Sequence, residues 1–567
     1  MGAHCRPHCP LLTGNCAVAQ LIRAGMTIGG VKEKPKIEEL FRFIVKAVVE
    51  HVETTAFFWR KTMLRIVKTK LGTVEGIPAA DPRITAFKSI PFAKPPVGPL
   101  RFAPPQAAEP WEGVKECFKF PPIPVQPSPN RNPPPEDVYS REWSVDPDIP
   151  VSEDCLYLNI WTPAKTGNEK FPVYFWIFGG GWQVGHTAEM EFDGERIARR
   201  GIVVVTVNYR VNLFGFTCHP ELTREYPENP ANAGLQDQLA GLKWVYENIE
   251  AFGGDKENIT IGGQSAGAGS VLFHIGNPES RKYFKRAVVD SGLIYAPNMP
   301  DMFPKRTVSD AEKLGEDFFN FCGCKNLEEV RKLSTDQLRK KWDEWGGYSK
   351  SIASWTPTFD DKYNRGSLIE VVQQGKCTPC PIFTGFTTDE FIFGGLHAVE
   401  MGIRKLMKEE EARGLKLENY CYKFDVPIPG WDHPGKFHSV DLWFWFETLA
   451  KCWRPFTGVH YDVARQMCDY LCNFIKCGNP NGLDLNGQPL PEWTPYTSEK
   501  ENFMEFTTGC SENRIPTSEE MKKYLYKKRW FRQAQPPYYT SSTTVLHKLN
   551  QLFYKFSPLA SITSLYQ

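Results

Sequence analysis

Gly263-Gln264-Ser265-Ala266-Gly267 sets a serine among small residues, just after the apolar run Asn258–Gly262 (NITIG) and at the start of a helix-like stretch. A serine on a sharp strand-to-helix turn presents its Oγ above the edge of a sheet. Small residues two positions away on each side let strand and helix approach closely. The amides of the following helix aim at the reacting oxygen. The competing reading of the same five residues is a glycine-rich turn whose serine only caps a helix. Earlier in the chain, Gly179-Gly180-Gly181-Trp182 follows a second apolar run, Phe171–Phe178 (FPVYFWIF). Glycines there let backbone N–H groups face a ligand without side-chain obstruction. Such donors stabilise the negative charge that builds on an attacked carbonyl oxygen. The amides of Gly180, Gly181 and Ala266 are the three this pattern nominates; a flexible turn is the plainer alternative.

A serine hydroxyl needs a base, and the base needs an orienting carboxylate. On a strand–turn–helix elbow the chain order is serine, acid, histidine. His397, His433, His438, His460 and His547 all follow Ser265. Between them and the serine, Thr387-Thr388-Asp389-Glu390-Phe391 follows the strand-like Ile382–Phe386 and offers two carboxylates. Order alone leaves these choices open.

The elements around these residues alternate. Phe171–Phe178 and Ile202–Asn208 (IVVVTVN) read as buried strands, Leu235–Ile249 as an amphipathic helix, and Leu64–Lys68 as the first strand. Such alternation predicts an α/β fold with a mostly parallel sheet and helices on both faces. Three segments are distinguished: a leader over 1–62, a hydrolase domain over 63–530, and a tail over 531–567 with no assigned role. In the leader, Ile37, Leu40, Phe41, Ile44, Val45, Val48 and Val52 recur at helical spacing after Pro35, so one amphipathic helix is expected across 36–52. Met63 stands just before the first strand-like run, and the leader is expected to be dispensable for the chemistry.

The chain has 567 residues, with 67 basic and 66 acidic side chains and a net charge of +1. That balance asks for no nucleic acid partner. No run of 18 apolar residues predicts a membrane span. The first residues lack the apolar core of a secretion signal, so a cytoplasmic location and reduced thiols are expected for the 16 cysteines. Cys377-Thr378-Pro379-Cys380 is a solitary pair, too little for a metal site. Asn258-Ile259-Thr260 is a lone glycosylation sequon in a strand, read as coincidental.

The ordered segments Ser89–Phe102 (SIPFAKPPVGPLRF), Ser152–Pro163 (SEDCLYLNIWTP), Phe178–Trp182, Asn208–Phe216 (NYRVNLFGF), Asn232–Gln238 (NAGLQDQ), Phe252–Thr260 (FGGDKENIT) and the serine elbow resemble the type-B carboxylesterase family, which includes cholinesterases and bile-salt-activated lipase. The resemblance covers roughly 64–510. It implies an α/β-hydrolase fold, a large twisted sheet and a Ser-Glu-His triad acting on a small-molecule ester, with no metal or organic cofactor. Gly435-Lys436-Phe437-His438-Ser439-Val440-Asp441 is similar to the family's catalytic-histidine loop, which points to His438 over His433 and makes His460 structural. Glu390 matches the family's catalytic glutamate, although Phe391 stands where the family has glycine, and Asp389 is the alternative acid. Ser291 and Asp441 are supporting candidates. Cys155 matches a family half-cystine, but its partner position falls near Pro124; Cys117 lies seven residues earlier, and free thiols are expected. The family also includes adhesion and scaffold proteins that keep the fold and lose the triad. Here Ser265, Glu390 and His438 are all present, which favours an enzyme.

Overall fold

The computed structural model describes residues 63–127, 138–142, 149–295, 305–347, 350, 354–361, 363–390, 392–393, 396–520 and 522–523. The expected helix over 36–52, the rest of the leader, Phe391, His547 and the tail over 531–567 lie outside the described residues.

One sheet of eleven strands runs through the molecule. In chain order these are β1 (Ile77–Pro78), β2 (Thr85–Pro91), β3 (Tyr157–Thr162), β4 (Phe171–Ile177), β5 (Val203–Val207), β6 (Gly254–Gln264), β7 (Arg286–Asp290), β8 (Ile382–Thr387), β9 (Tyr420–Phe424), β10 (Asn502–Phe506) and β11 (Cys510–Arg514). Their spatial order is β11-β10-β9-β8-β7-β6-β4-β5-β3-β2-β1. The seven strands from β5 to β10 are mutually parallel. The margins β1, β2, β3 and β11 pair antiparallel, so the sheet is mixed, and its central part is the parallel sheet that the sequence implies. The expected first strand is shorter, Ile66–Lys68, and joins a separate three-stranded sheet with Thr73–Glu75 and Val114–Glu116.

The central strands are apolar throughout because both faces are covered. Phe175 and Val207 lie under α1 (Ala233–Asn248), where a Cβ on Gly241 would stand 2.7 Å from Val207 Cγ2 and 3.6 Å from Phe175 Cζ. Tyr174 and Trp176, one residue away and so on the opposite face, pack on Phe446, with ring centroids 6.3 and 5.0 Å away. The helix α2 (Ala266–Gly276) follows the serine elbow, and α3 (Gly458–Cys477) packs near β4 and β6. A buried pair ties the segment after β5 to α1: Arg210 Nε and Nη2 donate to Asp237 Oδ2 and Oδ1 at 2.8 and 2.7 Å. A guanidinium matched to both carboxylate oxygens fixes orientation as well as charge. The described cysteines are free thiols, with Cys117 and Cys155 both buried. Among the described residues, no helix is long and apolar enough to cross a membrane.

Candidate active site

Ser265 stands between the end of β6 and the start of α2, with φ 55° and ψ −122°. A non-glycine residue in that region is strained and needs surroundings that over-determine it. Ser265 N donates to Asp290 O at 2.9 Å, and Ser265 O accepts from Gly269 N at 2.8 Å. The elbow glycines are required sterically. A Cβ on Gly267 would stand 2.6 Å from Phe178 O, and one on Gly263 would stand 2.8 Å from Ile177 O. No side chain fits where α2 crosses the end of β4.

The glycine turn lies directly against this elbow. A Cβ on Gly179 would reach within 3.1 Å of Ser265 Cβ. Gly180, Gly181 and Trp182 follow with φ of 97°, 64° and 60°, a run of left-handed backbone that glycine adopts readily. Three bonds hold the turn: Trp182 Nε1 donates to Ser270 Oγ at 3.0 Å, Asn212 N donates to Trp182 O at 2.6 Å, and Gln183 Nε2 donates to Trp355 O at 2.7 Å. Ser270 Oγ in turn donates to Ala266 O at 3.0 Å. The turn of Gly180 and Gly181 and the residue Ala266 are thereby brought to one place beside Ser265.

His438 arrives from the irregular chain after β9. Its Nδ1 bonds Glu390 Oε1, and its Nε2 lies 3.2 Å from Gln264 Nε2, on the residue before the serine. Glu390 is buried just past β8. Its Oε2 accepts from Ser291 Oγ at 2.9 Å, Thr387 Oγ1 at 3.0 Å and Thr387 N at 3.2 Å. Burial alone would push this carboxyl up. The charge and hydrogen bond of His438, with the Thr387 and Ser291 bonds, outweigh burial and hold it below its ordinary value.

The rival residues are placed elsewhere. Asp389 Oδ2 accepts from Lys436 N at 2.6 Å, and Asp389 pairs with Phe437 as an isolated bridge, so it anchors the histidine loop. His460 lies near the start of α3, where its Nδ1 accepts from Thr457 N at 3.0 Å and its Nε2 lies 3.0 Å from Pro427 O. His397 precedes the helix Ala398–Ala412 as its N-cap residue, and burial lowers its pKa. His433 sits earlier in the loop at φ 44°.

Sequence reasoning did not find three residues of this neighbourhood. Gln264 borders the base. Asp290 Oδ1 lies 3.0 Å from Ser291 Oγ and accepts from Tyr422 OH at 2.7 Å. The hydroxyl of Tyr422 also lies 3.1 Å from Asp441 Oδ2. Burial, then the charge of Asp441, pushes Asp290 well above the carboxylate range. Burial, then the charge of Glu390, pushes Asp441 up to about 6. Glu390 is thus the carboxyl of the three whose pKa is depressed, which suits it to face an imidazolium. No sequence signal marks Tyr422; Asp290 stood in view beside Ser291 without a reason to choose it.

The family model described as the carboxylesterase family matches residues 64–418 and 395–529. A cholinesterase of Mus musculus is 29% identical over 526 residues, covering 79% of this chain and 84% of that protein. A para-nitrobenzyl esterase of Bacillus subtilis (strain 168) is 28% identical over 522 residues, covering 82% and 99%. The crystal structure of carboxylesterase EST55 from Geobacillus stearothermophilus superposes with a TM-score of 0.66 at 28% identity, over 81% of this chain and 99% of that one.

Proposed function

The chain belongs to the carboxylesterase family and is a carboxylester hydrolase of the α/β-hydrolase fold, and from that premise we propose that Ser265, His438 and Glu390 carry the reaction. Glu390 holds the proton of His438 on Nδ1, which makes Nε2 the ring nitrogen that accepts. Nε2 takes the proton of Ser265 Oγ as that oxygen attacks the ester carbonyl carbon. The carbonyl oxygen, now negative, is held by the amides of Gly180, Gly181 and Ala266. Collapse of the tetrahedral species breaks the bond to the alcohol oxygen, which leaves with the proton from His438. Water then repeats the sequence on the acyl-enzyme. It gives a proton to His438, attacks the acyl carbon, and releases the acid as Ser265 recovers its proton.

The observation that carries this reading is the placement of His438. One ring nitrogen rests on a buried glutamate, and the other stands beside the residue next to a strained elbow serine. A fluorophosphonate probe tests it, because only an activated serine reacts. Mass spectrometry should place the adduct on Ser265, and Ser265→Ala should lose both labelling and hydrolysis of p-nitrophenyl butyrate. Robust labelling of the folded alanine variant would overturn the assignment.

A further inference from the structure

Four charges fasten the short helix Val138–Glu142 to the histidine loop. Arg454 lies in the chain just before α3, and its side chain is buried. Its Nε donates to Glu142 Oε2 at 2.8 Å. Its Nη1 donates to Asp432 Oδ1 at 3.0 Å and to Pro429 O at 3.2 Å, and its Nη2 donates to Asp432 Oδ2 at 3.2 Å. Arg141 Nη2 donates to the same Asp432 Oδ2 at 2.9 Å. Two guanidiniums and two carboxylates thus join the helix, the histidine loop and the entry to α3. Gly430 is part of the fit. It has φ 152°, and a Cβ there would collide with Asp432 Oδ1 and stand 2.7 Å from Arg454 Nη1. Trp431 and Trp453, the two exposed tryptophans among the described residues, cover Arg141, whose guanidinium carbon lies 4.9 and 5.7 Å from their ring centroids.

Burying four charges is costly, and a balanced buried network adds little to stability over an apolar core of the same volume. It does give register, because a guanidinium fork fits its carboxylates in few geometries. We propose that Arg141, Glu142, Asp432 and Arg454 form an ionic latch whose members are positioning residues for His438. The inference rests on the reading of Ser265, His438 and Glu390 given above.

The loop that carries the base has no regular structure of its own. Gly430, His433, Gly435 and Ser439 all take positive φ, so the shape of the loop is set by what grips it from outside. Asp389 grips it at Lys436, and the latch grips it earlier, at Pro429 and Asp432. The latch also reaches the residue before the base. The Arg454 guanidinium carbon lies 5.6 Å from the Phe437 ring centroid, and Tyr139 of the helix meets the same ring edge to face at 5.8 Å. Held between the two, Phe437 fixes the backbone from which the His438 ring reaches Glu390.

The test pairs steady-state kinetics on p-nitrophenyl butyrate with the rate at which a fluorophosphonate labels Ser265. Glu142→Gln keeps the shape of the side chain and removes its charge, which leaves two guanidiniums facing one carboxylate. kcat should fall about fivefold with KM within about twofold, and labelling should slow by the same factor, because both report how well His438 takes the serine proton. The melting temperature falls whether or not the latch acts on the base, since a buried charge loses its partner, so the kinetics carry the decision. Labelling at the wild-type rate in the folded variant overturns the proposal. So does a raised KM with kcat unchanged, which would make the helix a wall of the substrate pocket. If Glu142→Gln does not fold, Arg141→Met takes its place at the less buried end of the latch. It should lower kcat and the labelling rate about threefold, and Arg141→Lys, which restores the charge, should recover most of the loss. Wild-type rates in Arg141→Met, or no recovery in Arg141→Lys, overturn the proposal. Failure of the triad reading would appear separately, as a fluorophosphonate adduct on a residue other than Ser265.

Discussion

The two halves of the site are built in different ways. The elbow half, Ser265 with the Gly179–Trp182 turn, is held by backbone that has no spare volume: β4, β6 and α2 meet where Gly263 and Gly267 leave no room for a Cβ. The histidine half is irregular chain held by polar side chains. Asp389 grips Lys436, Gln264 grips Ser439, and Glu390 grips His438. Farther out, Arg454 bonds Asp432 at 3.0 Å and Glu142 at 2.8 Å. Steric exclusion is all-or-none, because an added atom has nowhere to go. Hydrogen bonds can be removed one at a time, and each removal costs a graded amount. The first half should therefore fail by unfolding, and the second by degrees of lost activity.

The sharpest separation is between His438 in the second half and Gly267 in the first. His438→Ala should lower kcat/KM by about 10^4-fold, equivalent to about 5.5 kcal/mol, with the fold intact. Gly267→Ala should break the first half instead. It should cost about 3 kcal/mol or more in urea unfolding, while Gly458→Ala, where a Cβ meets nothing within 4 Å, should be nearly neutral. An active, stable Gly267→Ala would remove the distinction between the halves.

Asp389→Ala loosens the second half without touching the base. Turnover should fall about tenfold, roughly 1.4 kcal/mol, and the melting temperature should change little. Loss as deep as that of His438→Ala would make Asp389, not Glu390, the orienting acid.

Asp290 tests the buried carboxyls behind Glu390. Its folded-state value is raised by burial and by the charges of Asp441 and Glu390, with the Tyr422 and Ser291 bonds opposing. The native state therefore holds a proton that the unfolded chain releases above about pH 4, and wild-type stability falls as pH rises beyond that point. Asp290→Asn removes this loss. It should be more stable than wild type at pH 7, by about 1 kcal/mol, and the gap should close toward pH 4. A gap that widens on acidification would reverse the assignment. The smallest effect belongs to His460→Ala, which loses a bond near the start of α3 and should keep its activity within about twofold while losing about 1 kcal/mol of stability.

Much of the elbow half was legible from residues near one another in the chain. The runs FPVYFWIF and NITIG mark β4 and the buried end of β6, and the glycines beside them mark the turn and the crossing, because steric permission is a property of residue type. The histidine half was legible through resemblance to a family, since spacing alone left five histidines and two carboxylates in play. His438 and His460 have equal exposure, 9% each, and nothing local tells the base from the residue that caps a helix. Charge ordering among Glu390, Asp290 and Asp441 was not legible at all, because it depends on which buried oxygens receive protons from Thr387, Ser291 and Tyr422 across separate strands.

By itself, then, the sequence determined the strand–elbow–helix and the glycine turn, because those follow from short-range sterics and apolar runs. Tertiary structure decided that Glu390 and not Asp389 meets His438, and that Gln264 meets the ring from the other side. Those contacts join residues 48 and 174 positions apart, and a hydrogen bond depends on distance in space, which chain position does not encode.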